Sequence, residues 1–170
     1  MSRAFVNESD SDARTEALPE LPVSPHPNYV TRRGLKQLEE RLAAAQGEQR
    51  RLAAAPDSPE KELRVAHVAR DIRYLETRLE RAIPVDAAQQ PADEVAFGAV
   101  VDVVDSAGAR HRFAIVGEDE ADAEHGKVSW VSPLARALIG AGVGDVVQWR
   151  RPAGQVALEI EAIRYPERAS

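Results

Sequence analysis

The chain has no cysteine among its 170 residues. That excludes disulfide stapling, thiol nucleophiles and cysteine-ligated zinc. Aromatic residues make up only 5% of it, so Ala, Val and Leu must fill whatever core it has. No run of about 18 apolar residues occurs that could span a membrane. The opening "MSRAFVNESDSDAR" lacks the apolar stretch of a secretory signal, and a cytoplasmic location is expected. No P-loop, dinucleotide fingerprint or nucleophile elbow is present. His26, His67, His111 and His125 show no ligand spacing for a metal.

Charge is plentiful but uneven. The net formal charge is −6, yet residues 31–85 carry 12 basic against 9 acidic side chains, while residues 86–170 carry 8 against 14. A positive middle segment in an acidic protein points to a polyanion or to an ion-paired helix face. The length leaves room for one ordinary domain with an appendage, or for two small units.

Residues 1–28, with "LPELPVSPHP", read as a disordered or extended acidic, Pro-rich leader. From Thr31, a predicted N-cap, seam positions step by three and four: Leu35, Leu38, Leu42, Ala45, Gln49 and Leu52. After a Pro-bounded break the steps repeat through Val65, Val68, Ile72, Leu75, Leu79 and Ala82. Two such seams bury themselves only by folding together, so residues 29–84 are expected to form an antiparallel coiled-coil arm with its tip at 56–60 and Pro84 ending the second helix. Residues 85–94 read as a linker. Beyond them the period changes to that of strands, with turns at Ser-Ala-Gly and Pro-Ala-Gly and one short helix capped by Ser132. The fold class expected is α+β: a helical hairpin followed by a small antiparallel-sheet domain over residues 95–166.

Particular words narrow this further. "NYVTRRGLKQLEERL" and "RDIRYLETRLERAIPVD" resemble the two arm helices of the bacterial GreA/GreB transcript-cleavage factors, the second nearest to GreB. "VAFGAVVDVVD", "RFAIVGEDEAD", "SWVSPLARALIG", "VGDVVQW" and "RPAGQVALEIEAIRY" follow that family's C-terminal domain in order. The resemblance implies an FKBP-like sheet domain that docks on RNA polymerase, and an arm that enters the polymerase's secondary channel. It implies an accessory factor rather than an enzyme: tip acids help hold Mg²⁺ of the polymerase active site, and the polymerase itself cleaves backtracked RNA. The implied arm is shorter than the family's by about one heptad, roughly 10 Å. The expected partners are RNA polymerase and the nascent RNA 3′ end, with no direct DNA binding, no membrane, and a monomeric factor.

Carried onto this sequence, the tip acids are Asp57 and Glu60, with Lys61 where the family pattern has Asn. The stretch "APDSPEKE" also reads as a plain helix start, with Ser58 as N-cap, Pro59 at the first helical position and Glu60 and Glu62 in the favourable first turn. Arg50, Arg51 and Arg64 could face RNA, or pair with the arm's own acids. Ser132, Pro133 and Arg136 lie where the resemblance places polymerase docking. The acidic "GEDEAD" at 117–122 reads as a solvated loop, and Trp130 and Trp149 as sheet core or edge. Two other readings remain: a non-cleaving channel binder in the manner of DksA- or Rnk-like proteins, and a prolyl isomerase prompted by the FKBP-like sheet.

Overall fold

A computed structural model describes residues 18–168. The first 17 residues of the expected leader therefore lie outside the described residues. The arm consists of α1 (Arg32–Ala54) and α2 (Pro59–Glu80). Both begin as the local sequence dictates: Thr31 Oγ1 accepts from the Gly34 amide, and Ser58 Oγ from the Lys61 amide, each satisfying a donor that the first helical turn leaves free. Leu38, Val68, Ile72 and Leu75 are buried along the seam, and Leu35, Leu42, Ala45 and Leu79 are packed beside them. Towards the outer end the seam thins, and Leu63 and Val65 are exposed.

The second helix stops at Glu80, with Arg81 as its cap, earlier than Pro84 implied. The reason is a strand pair: β1 (Asn28–Val30) lies parallel to β2 (Ala82–Pro84), with Asn28 opposite Ala82. Parallel neighbours need a long crossover connection, and here the whole arm is that crossover. After β2 a 3-10 turn over Ala87–Gln89, capped by Asp86, places Ala87 in the body's core.

The body is a five-stranded sheet in the order β5-β4-β3-β7-β6, built from β3 (Val100–Asp105), β4 (Arg110–Val116), β5 (Lys127–Ser129), β6 (Val146–Arg151) and β7 (Gly154–Arg164). It is mixed rather than purely antiparallel, because β5 runs parallel to β4. The loop between them, with its own 3-10 turn at Ala123–His125, turns the chain round before β5 begins. Glu161 is the extra residue of a bulge, since Asp102 pairs with Ala162 while Val103 pairs with Ile160. The sheet is strongly curled. Phe113 on β4 and Trp149 on β6 have ring centroids 6.2 Å apart, although three strand spacings in a flat sheet would separate them by about 14 Å. Val101, Val103, Ile115, Leu158 and Ile160 fill the concave face, which α3 (Pro133–Leu138) closes with Leu134, Ala135 and Leu138. Among the described residues, no helix is long and apolar enough to cross a membrane.

Candidate functional site: the arm tip and its anchorage

At the outer end of the arm, Asp57 and Glu60 sit on one short connection, Asp57 in the loop and Glu60 in the first turn of α2. Asp57 is 97% exposed. Glu60 is exposed as well. Lys61 folds back over the loop: its Nζ donates to Ala55 O at 2.6 Å and to Asp57 Oδ1 at 2.9 Å. That hydrogen bond, and the ammonium charge behind it, hold the Asp57 carboxyl below the usual range. Lys61 thus satisfies the carbonyl of Ala55, the C-cap of α1, and pairs with one of the two expected tip acids.

Mg²⁺ prefers hard oxygen ligands and keeps several waters. The carboxylates of Asp57 and Glu60 are donors of the right kind. They are too few for a resident site, and among the described residues no three His, Asp or Glu side chains cluster as metal ligands. The tip therefore fits an ion shared with another molecule's ligands.

The other expected residues fall in two places. Arg64 is taken up across the hairpin by Glu48, with Nε to Oε1 at 2.5 Å and Nη2 to Oε2 at 2.9 Å. Arg50 and Arg51 are exposed. Ser132, Pro133 and Arg136 are together on α3, where Ser132 caps the helix through the Ala135 amide and Pro133 and Arg136 face solvent. Just beyond α3, Ile139 and Val143 are exposed. The tip and α3 are not one site. The 22 residues of α2 alone put about 33 Å between tip and arm base.

What joins arm to body is the acidic loop, and this corrects its reading as solvated. Arg78 of α2 is only 2% exposed. Its Nε donates to Asp119 Oδ2 at 2.6 Å and its Nη2 to Asn28 Oδ1 at 2.6 Å, with Glu118 at 3.7 Å. Asn28 returns a bond from Nδ2 to Arg78 O at 2.7 Å. The Tyr74 hydroxyl donates to the other Asp119 oxygen at 2.6 Å. Burial, and then that bond to a carboxylate, push the Tyr74 phenol up to about 12. On the α1 side, Thr31 Oγ1 donates to Glu120 at 2.5 Å while accepting from Gly34. A Cβ on Gly34 would stand 2.9 Å from Glu120 Oε1, so a larger residue there would push the Glu120 carboxylate aside. The described part of the leader also touches both arm and body. Glu20 makes a two-oxygen pair with Arg73, and His26 meets Trp130 edge-on at 5.9 Å. The bonds between the acidic loop and the arm were not legible in the sequence, because their partners are 41 to 89 positions apart.

The family-model match falls on the body. Residues 90–165 match the family model described as "Transcription elongation factor, GreA/GreB, C-term". This part of the chain is similar to the C-terminal domain of the GreA/GreB factors. The chain is 43% identical over 103 residues to the transcription elongation factor GreB of Neisseria meningitidis, a stretch covering 60% of this chain and 63% of that protein. It is 45% identical over 92 residues to the transcription elongation factor GreA of Methylobacterium sp. (strain 4-46), covering 54% and 58% respectively. The chain thus spans less than two thirds of the length of the curated relatives it matches. Among solved structures, GreA factor homolog 1 of Thermus thermophilus aligns with 82% of this chain and 99% of its own at 24% identity, with a TM-score of 0.40. The family match thus covers the body, and the clasped arm is described from its own geometry.

Proposed function

We propose that this chain is a Gre-type transcription elongation factor, an accessory protein rather than an enzyme. Its C-terminal domain docks on RNA polymerase through the α3 face, Pro133 and Arg136 with the exposed Ile139 and Val143. Its arm enters the secondary channel. The observation that carries the reading is the junction: a Gre C-terminal domain clasped through the buried Arg78 to a two-helix arm that ends in exposed carboxylates.

The arm's part is to deliver charge to a fixed place. Two helices packed along a seam and held at the base by Arg78, Tyr74 and Thr31 resist bending, so force at the docked body is transmitted to the tip. A carboxylate brought into a two-metal site adds negative charge and an oxygen ligand, which Mg²⁺ needs in order to stay and to position an attacking water. Asp57 and Glu60 are the residues suited to this. Arg50 and Arg51, exposed just behind the tip, suit non-specific contact with RNA phosphates. A cytoplasmic place of action follows from the partner.

The test uses a stalled, backtracked RNA polymerase complex with a labelled RNA 3′ end. The wild-type factor is expected to release short 3′ oligonucleotides. Asp57→Asn/Glu60→Gln is expected to lose that release while still competing for the polymerase. A wild-type factor that binds the polymerase but releases nothing would replace this reading with that of a non-cleaving channel binder.

A further inference from the structure

The tip holds a residue that the proposed reading does not use. Lys61 is the third residue of α2, where the helix dipole disfavours a cation. Its side chain is nevertheless only 16% exposed, folded across the loop rather than extended into water. Both of its hydrogen bonds go to the tip: one to the free carbonyl of Ala55 at the end of α1, the other to Asp57 Oδ1. A half-buried ammonium with two oxygen partners is held in one position, and so is the carboxylate it holds.

We propose that Lys61 is a positioning residue that occupies Asp57, so that a divalent cation gains this carboxylate only by displacing an ammonium. This deepens the reading of the tip given above and rests on it. In the resting tip Glu60 is the acid without such a partner among the described residues, and Asp57 is released when the metal arrives. The consequence is a factor that acts only where metal is already well bound by other ligands. The Ala55 bond gives Lys61 a second, purely structural role, and the experiment must separate the two.

Lys61→Met keeps the aliphatic stem and removes the charge; Lys61→Arg keeps the charge. Two readouts are taken. In the isolated protein, Mn²⁺ is titrated in and the paramagnetic broadening of tip amide signals is followed by NMR. In the backtracked complex, RNA release is measured against Mg²⁺ concentration. For Lys61→Met, the expected result is broadening at about two- to fivefold lower Mn²⁺, and half-maximal release at correspondingly lower Mg²⁺, the size of an exposed ion pair. Lys61→Arg should stay near wild type, and Asp57→Asn/Lys61→Met should lose the gain. Unchanged or weaker broadening in Lys61→Met overturns the proposal, whatever the polymerase assay gives. If broadening shifts as expected while no variant releases RNA, the pairing stands and the cleavage reading falls.

Discussion

Arg78 Nε lies 2.6 Å from Asp119 Oδ2, with the arginine side chain 2% exposed and the aspartate 11%. One charge belongs to the arm and the other to the body, so the direction of the arm is set by a desolvated ion pair. Asn28 and Tyr74 satisfy further atoms of the same pair. Breaking such a pair leaves a buried charge with no partner, which is costly out of proportion to what the pair itself contributes.

Asp119→Ala is therefore expected to destabilise the protein by about 3 kcal/mol or more, read by urea unfolding. In small-angle scattering, the surviving folded molecules should show a broader distribution of maximum dimension, because the arm swings once the clasp is open. Arg78→Met leaves the Asp119 carboxylate without its cation and should also be costly, but less so, because that group is 11% exposed and keeps the Tyr74 bond.

Gly117→Ala probes the same junction without touching charge. A Cβ there would stand 2.4 Å from the Tyr29 carbonyl oxygen, which is backbone and cannot rotate away. Overpacking of this kind costs about 1–3 kcal/mol. Tyr29 also carries the edge-on contact with Trp130 at 5.0 Å. The loss should therefore appear both in the unfolding midpoint and in tryptophan fluorescence.

The Tyr74 phenol predicts a particular pH response. Its folded value is raised to about 12 by burial and by the Asp119 carboxylate, above the ordinary value near 10. The group favours folding while it is protonated in both states. That contribution is whole below about pH 10 and is lost as pH rises through the folded value of about 12. Stability should accordingly fall between those limits, and Tyr74→Phe should flatten that part of the curve measured by denaturant unfolding.

Ser58→Ala removes the N-cap of α2 and should cost about 1 kcal/mol. The effect belongs to the outer arm alone. Hydrogen exchange is expected to quicken in the first turn of α2, at Glu60 to Glu62, while amides of the body's sheet keep their protection.

Much of this architecture could be read from local chemistry. The caps at Thr31, Ser58 and Ser132 each depend on residues within three positions, and all three form as the sequence implied. The paired seams and the two hairpins around Ala-Gly turns are likewise period signals. The parallel pairings were not legible: β1, β2 and β5 are three residues each, too short for alternation to register. The acidic loop misled for a different reason. Asp119 and Glu120 look solvated until Arg78, Tyr74 and Thr31 are brought to them from the other end of the fold. At the tip, the family resemblance pointed to Asp57 and Glu60, but only the fold shows that Lys61 turns back to hold one of them.

The pairing of Asn28 with Ala82 brings the two ends of the arm side by side. Everything from residue 31 to 81 thus leaves and re-enters the molecule through one doorway. Whole turns added to or removed from both helices together would leave that doorway, and the body behind it, unchanged. Reach is therefore a dimension that mutation can tune by itself, with no redesign of the body at the arm's base.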